Sequence, residues 1–501
     1  MVCSTRIVRS VRSERPGIEV LVQSNWSEPS PEIIFTFVPM KDLVQAQREY
    51  FLAGHTRPIA ARKQTLSKLY HLLLENEQVL ADAIYKDFKK SFYLTVENEL
   101  SLPYGEINRA IRRLRGWSRS RYFRTNIVNF PASSRTMPVP YGVSLVIGPW
   151  NYPYMLALIP VISSLAAGNT VILKPSELAN HASLALGKLI NKNFPKELIH
   201  VQEGGVEETT LLLKERFDKI FFTGSTPVGR IVMKAAAEHL TPVTLELGGK
   251  NPVIVLPDCN LRKTARRLVW GKFHNNGTAC VSPDHVYVHQ SIHEALVEEI
   301  RKNIPRIYGS DPRDSIALPR MINRQHFERV LSIIDQDKVV SGGTSDPEDL
   351  YIEPTVMDGI TEDDPVMKDE VFGPVMPILA FNELRPLVER LKRRPAPLVL
   401  YIFSGNKRLA RKLMKEIPSG GGMINDVVMH FINMNSPFGG LGESGMGSYH
   451  GKAGFEAFSH YKTILNKPNW FDLYLKYPPY RAFNLRLIRT VLGKSFRNLF
   501  R

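Results

Sequence analysis

Between Thr136 and Leu173 the chain carries no Asp, Glu, Lys or Arg. A charge-free stretch of that length is either a bilayer span or the middle of a buried core. The chain breakers decide between them. Pro138, Pro140, Pro149, Pro153 and Pro160, with Gly142, Gly148 and Gly168, would free backbone groups that lipid cannot satisfy. The short β-branched runs YGVSLVIG and GNTVILKP are bounded by Gly and Pro, as buried parallel strands are. Between them, YMLALIPVISSLAAG reads as an apolar helix, so the stretch is one strand–helix–strand unit.

The alternation continues along the chain. ELIHVQEGG and DKIFFTGS read as strands, alternating with helical stretches at 182–192 and 206–215. GSTPVGRIVMKAAAEHL opens a helix, and PVTLELGGKNPVIVL returns to strand. Alternating β and α from 141 to 257 predicts a doubly wound parallel sheet, the usual scaffold for a dinucleotide. FTGSTPVG places Gly224 and Gly229 between a strand and a helix, where backbone amides can face a phosphate. The spacing is not GxGxxG, and a plain strand-to-helix turn fits it equally. A chain of 501 residues exceeds one hydrophobic core, so two or three domains are expected.

The formal charge of +16 raises the question of nucleic acid or anionic membranes. The densest basic run lies between Arg109 and Arg124, where Ile111, Leu114 and Trp117 recur at three-residue spacing. It reads as a solvated helix face with those three turned inward. No zinc spacing, aromatic RNA-binding signature or repeat accompanies the charge, so neither a metal nor nucleic acid is expected. Cys3, Cys259 and Cys280 are too few for a disulfide framework and predict a reducing, cytoplasmic compartment. Cys280 stands apart in NNGTACVSPD, among small and polar neighbours and four positions before an acid.

Six motifs taken in order, GPWNYP (148–153), LKPSE (173–177), FTGSTPVG (222–229), LELGGKNP (245–252), NNGTACVSPD (275–284) and DEVFGPV (369–375), resemble the aldehyde dehydrogenase superfamily. PFGGLGESGMGSYHGKAGFEAFSH resembles its class 3 and fatty aldehyde dehydrogenase branch. The resemblance spans roughly residues 41 to 480. It implies an α/β, aldehyde dehydrogenase-like fold: a Rossmann-type cofactor domain, an α/β catalytic domain and a β bridging element for oligomerisation. The implied divisions are an N-terminal arm without structure (1–40), a discontinuous cofactor domain (41–120 and 141–245) and a catalytic domain (246–445). The bridging element combines 121–140 with 446–466, where HGKAGFEAFSHYKTIL alternates like an edge strand, and a basic amphipathic tail (467–501) follows.

On this resemblance Cys280 is the nucleophile. Its thiolate attacks an aldehyde to give a thiohemiacetal, hydride loss leaves a thioester, and water releases the acid. Asn151 and the N–H of Cys280 bind the oxyanion, and Glu246 is the base that activates water. A carboxylate within an apolar strand is expensive to bury unpaired, which independently favours a chemical role for Glu246. Lys174 and Glu177 are implied at the adenosine ribose, Gly224, Ser225 and Gly229 at the diphosphate, Thr223 near the nicotinamide, and Glu370 and Phe372 at the nicotinamide ribose. An acid near the 2′-hydroxyl favours NAD, with NADP as the alternative. Thr278 departs from the Gln common two residues before the cysteine, which implies a changed pocket wall. Trp150, Tyr152, Tyr154 and Met155 suggest an apolar entry for medium or long aliphatic or aromatic aldehydes.

Two rivals accompany this reading: a CoA-acylating relative, against which Glu246 argues, and a binding protein that keeps the fold without catalysis. A homodimer is implied. Leu485, Ile488, Leu492, Phe496 and Leu499 form an apolar stripe in the tail, with no acid after Asp472. That pattern fits a helix lying on an anionic membrane surface, and equally one packed on the protein's own body.

Overall fold

The computed structural model describes residues 39–497, and apart from Pro39 and Met40 the expected N-terminal arm lies outside them. The strand–helix–strand unit forms as the sequence predicts: Val143–Ile147, Met155–Ala167 and Thr170–Lys174. Every residue of that helix is buried. Pro160 removes a helical hydrogen bond, at a cost of about 3 kcal/mol. Burying Leu156, Leu158, Ile159, Val161 and Ile162 returns about 1.5–3 kcal/mol each, so packing outweighs the break. Gly168 ends the helix in the left-handed conformation, φ 98°.

Around this unit a six-stranded sheet runs in the order 445–446, 243–247, 219–224, 143–147, 170–174, 199–201. It is parallel except at Gly445–Met446. The chain order reverses between Val143–Ile147 and Lys219–Gly224. Ligands of doubly wound sheets bind in the crevice at the carboxyl ends of the strands flanking such a reversal. Asn151, Lys174, Thr223 to Ser225 and Glu246 all sit at or just beyond those carboxyl ends.

A second sheet of seven strands has the order 339–341, 355–357, 375–381, 285–289, 252–255, 399–403, 421–424, antiparallel only between its first two. Cys280 and Glu370 precede the strands His285–His289 and Val375–Phe381, at the amino edge of this sheet. PVTLELGGKNPVIVL is therefore not one return to strand. Val243–Leu247 belongs to the first sheet and Pro252–Val255 to the second, and the chain crosses between them at 248–251. Glu246 thus lies in the cofactor sheet, paired with Thr223 and Gly445, and does not open the catalytic segment.

A third, antiparallel sheet joins Arg121–Phe123, Ser133–Pro140 and Ser459–Asn466. The alternation in HGKAGFEAFSHYKTIL misleads over its first half, because Gly451–Ala457 is a helix and only Ser459–Asn466 is strand. The basic run lies on the helix Ser101–Trp117 and just beyond it. Leu114 is buried there, Ile111 and Trp117 pack partly buried on the core, and Arg112, Arg113 and Arg115 face water. In the tail, Ala482–Arg497 is helical, with Leu485 and Ile488 exposed. Leu499 and the side chains of Leu492 and Phe496 lie outside what is described.

Candidate active site at the junction of two sheets

Cys280 is carried on a loop that the helix Leu261–Phe273 leads into. Asn275, Asn276 and Gly277 take three successive left-handed conformations (φ 50°, 56° and 70°), which turn the chain back on itself. Glycine is required at 277, since a Cβ there would fall 2.2 Å from the carbonyl of Gly373. The loop is pinned from several directions. Asn151 Nδ2 donates to Thr278 O at 2.7 Å. Asn275 Nδ2 donates to Asn151 O at 3.0 Å. Asn251 Nδ2 donates to Cys280 O and Ser282 O at 2.7 and 3.0 Å. The Tyr401 hydroxyl donates to Val281 O. Thr278 turns its hydroxyl into the loop, donating to Asn275 O at 2.7 Å, so the departure from Gln alters the support behind the cysteine.

The half-buried thiol of Cys280 has its pKa pushed up to about 12, first by burial and then by the carboxyl groups of Glu370 and Glu246. The N–H groups of Cys280 and Val281 bond the sulfur and act in the opposite direction. The resting thiol is therefore protonated at neutral pH. Cys259 is half-buried in the hydrophobic core, with a thiol pushed up chiefly by burial.

Asn151 is buried, and its contact with Thr278 uses one of its two amide protons. The second has no acceptor among the described residues. Glu246 is 4% exposed, and neither carboxyl oxygen has a partner in the protein. Burial holds its pKa well above 4.5. Its neighbour across the strand pair, Thr223, is also buried with an unpartnered hydroxyl. A buried polar atom without a partner calls for an explanation, and a bound ligand or water would supply one here. Both stand at the carboxyl edge of the cofactor sheet.

Lys174, Glu177, Gly224 and Ser225 gather at the same edge, and Glu370 and Phe372 face it from the amino edge of the second sheet. Lys174 is buried, its ammonium donating to Pro175 O and lying 3.8 Å from the exposed carboxylate of Glu177. Ser225 is the N-cap of the helix Thr226–Glu238, but its side chain makes no capping bond. The first-turn N–H groups of that helix therefore remain available to a phosphate. A Cβ at Gly229 would fall 2.7 Å from Leu247 Cδ2, so Gly229 lets the helix lie close on the sheet. Glu370 is half-buried, with its pKa raised to about 8, first by burial and next by Asp284. Gly248 accommodates it, since a Cβ there would fall 2.1 Å from Glu370 Oε2. Phe372 adopts φ 41° and packs edge-on against Trp150, with ring centroids 5.6 Å apart. Unpartnered polar atoms, a bare helix N-terminus and a glycine cradle together fit a nicotinamide dinucleotide.

Several supporting residues escape the sequence reading. Lys90 and Glu99, both 0% exposed, form an ion pair at 2.5 Å. Glu99 also accepts the N–H groups of Tyr154 and Met155 at 3.1 Å each, capping the helix that follows Asn151. The Lys90 ammonium lies 4.5 Å from the Tyr152 ring centroid and 3.5 Å from Asn151 O. Tyr154 is not part of a pocket entry: its hydroxyl donates to Leu80 O at 3.0 Å and its side chain is core. A buried Lys and Glu nine residues apart leave no periodic signal, so only the conflict between charge and helix burial could have suggested them.

The family model of the aldehyde dehydrogenase family matches residues 39–464. Aldehyde dehydrogenase family 3 member H1 of Arabidopsis thaliana is 39% identical over 93% of this chain and 98% of its own length. The dimeric NADP-preferring aldehyde dehydrogenase of Rattus norvegicus is 43% identical over 85% of this chain and 94% of its own. Among solved structures, the substrate-bound state of a Staphylococcus aureus AldH superposes with a TM-score of 0.89 at 37% identity, covering 91% of this chain and all of that one. The NAD+ complex of a Bacillus cereus aldehyde dehydrogenase reaches 0.74 at 26% identity, covering 85% and 88%.

Proposed function

The chain belongs to the aldehyde dehydrogenase family and oxidises aldehydes with NAD(P), and from that premise we propose that Cys280 is its nucleophile, Asn151 its oxyanion donor and Glu246 its general base. One observation carries the assignment. At the junction of the two sheets a thiol lies within the electrostatic reach of an unpartnered buried carboxyl, on a loop bonded to a side-chain amide with a proton to spare.

The Cys280 thiol loses its proton to solvent, and the thiolate so formed adds to the aldehyde carbon, whose carbonyl oxygen becomes an alkoxide. Asn151 Nδ2 and the Cys280 N–H donate to that oxygen, where one such donor contributes about 3–4 kcal/mol. When bound, a nicotinamide dinucleotide would supply the hydride acceptor and a positive ring that favours the thiolate. Glu246 then takes a proton from water, which attacks the thioester on Cys280 and releases the acid. A raised pKa makes Glu246 a stronger base than an exposed carboxylate. Glu370 and Phe372 would hold the nicotinamide ribose, with Thr223 near the nicotinamide, Lys174 and Glu177 would hold the adenosine ribose, and the turn at Gly224 and Ser225 would hold the diphosphate. Glu177 is exposed and held only by a 3.8 Å ion pair, so it can swing aside for a 2′-phosphate, which supports use of both NAD and NADP. The substrate class is medium or long aliphatic or aromatic aldehydes, on the strength of Trp150 and the buried Tyr152 near the thiol.

NADH formation from a medium-chain aldehyde, measured with and without CoA, tests the reading. Turnover should be independent of CoA, abolished by Cys280→Ala and largely kept by Cys259→Ala. Substantial turnover of Cys280→Ala would sink the assignment.

The protein acts as a homodimer, in which Ser459–Asn466, the open edge of the three-stranded sheet, extends the partner's sheet. An unpaired edge of eight residues is a ready template for strand addition, and the rat relative is named dimeric. No helix among the described residues is long and apolar enough to cross a membrane. The exposed Phe483, Leu485 and Ile488 of the basic tail helix support peripheral contact with anionic lipid instead. Binding to anionic vesicles should weaken with salt and vanish on truncation after Pro479.

A further inference from the structure

We infer that Lys250 and Asp284 form a positioning pair that sets the Glu370–Phe372 segment for the cofactor. This rests on Glu370 and Phe372 being cofactor contacts. The acid four residues after Cys280 is thereby given a task distinct from the chemistry of the thiol.

An ammonium group has three donors, and Lys250 uses all of them on two other segments. It donates to Asp284 Oδ2 at 2.6 Å, to Asp369 O at 2.7 Å and to Val366 O at 3.1 Å. Asp284, 3% exposed, is as fully engaged. Its Oδ1 accepts the N–H of Val371 at 2.8 Å, and its Oδ2 bonds the His285 ring as well as Lys250. Its own N–H donates to Asn251 O at 2.9 Å. The pair therefore ties three pieces of chain: the crossing between the sheets, the segment after Cys280, and the segment Val366–Phe372. Arg329 holds the last of these from another side, donating to the carbonyls of Glu370, Val371 and Phe372.

What the clamp resists is visible in the backbone. Phe372 sits at φ 41°, a conformation that a bulky residue keeps only when its surroundings over-determine it. Asp284 fixes the peptide N–H immediately before it. Without the pair, Phe372 can relax, carrying Glu370 out of the space that Gly248 leaves for it. The cysteine loop has its own supports in Asn151, Asn251 and Tyr401, so the nucleophile should stay in place. Cofactor placement and thiol chemistry are therefore separable.

The test compares Lys250→Met and the isosteric Asp284→Asn with wild type in two assays. One is aldehyde oxidation at varied NAD. The other is hydrolysis of p-nitrophenyl acetate by cofactor-free enzyme, in which an activated ester acylates Cys280 with no hydride to transfer. Expected are a rise in KM for NAD and a fall in kcat, together on the order of ten- to a hundred-fold in kcat/KM, with ester hydrolysis nearly unchanged. Equal loss of ester hydrolysis, through misfolding or collapse of the cysteine loop, would make the pair general scaffold and overturn the inference. Unchanged cofactor constants would overturn it as well. Glu370→Gln is measured alongside. If it too leaves those constants unchanged, the reading of Glu370 falls and the pair's role with it. If it alone alters them, only the positioning inference is lost.

Discussion

Replacing Glu246 by Gln separates the two halves of the reaction. The side chains are nearly isosteric, and neither wild-type carboxyl oxygen has a protein partner to lose, so no contact is broken. Stability should even favour the variant at neutral pH. The carboxyl's pKa lies well above 4.5 in the folded protein, so the unfolded chain ionises first as pH rises. Wild type then loses stability relative to the variant by about 1.4 kcal/mol per pH unit between 4.5 and the raised folded value. The kinetic effect is larger and of opposite sense. A positioned general base contributes on the order of 10²–10⁴-fold, or about 3–5 kcal/mol of barrier, and all of it falls on thioester hydrolysis. Rapid mixing of the variant with NAD and aldehyde should therefore give a burst of one NADH per active site, followed by turnover reduced by that factor. Undiminished steady turnover would place the base elsewhere. Loss of the burst itself would refute the assignment differently, by showing that Glu246 is needed before the thioester forms.

Asn151→Ala removes the oxyanion donor and the bond to Thr278, so the burst phase should slow by about 10²–10³-fold, measured in single turnovers. Lys90→Met strands a fully buried carboxylate at Glu99 and should destabilise the fold by about 3–5 kcal/mol; adding Glu99→Gln, which keeps an acceptor for the N–H groups of Tyr154 and Met155, should recover much of this in thermal unfolding, and additive losses would deny the pair its coupling. Because the Cys280 thiol is held near 12, alkylation of cofactor-free enzyme by iodoacetamide should rise about ten-fold per pH unit from 7 to 9, and a plateau below pH 9 would show that the resting thiol already ionises there.

The strand and helix alternation from 141 to 257 is legible because its central strands and the helix Met155–Ala167 are buried and therefore apolar, and because Gly and Pro punctuate the joins. The proposed reacting groups are read as residue types in ordered motifs that resemble those of the family. Gly229 shows the limit of such motifs: the glycine stands where a phosphate turn would want it, and only the packing shows that its missing side chain also serves contact with Leu247. The helix at Gly451–Ala457 shows the limit of periodicity, since a short run rich in small residues and aromatics satisfies strand alternation as well as a single helical turn or two.

Local pattern was enough to make this chain a doubly wound α/β protein and to mark Glu246 as a carboxyl out of place in an apolar strand, while the proposal of Cys280 as nucleophile drew on the family resemblance. Local pattern could not place Val243–Leu247 and Pro252–Val255 in different sheets, because both are short apolar runs and only pairing with distant strands tells them apart. Nor could it connect Lys90 to Glu99 behind Asn151, or Asp284 to the N–H of Val371, 87 residues away. Lys90 and Glu99 meet across the turn that follows the helix Glu77–Phe88, and Asp284 meets Val371 because the strands His285–His289 and Val375–Phe381 that follow them are neighbours in one sheet. A buried charge must find its counter-charge wherever the fold delivers it, and that address is not written in the spacing of neighbouring residues.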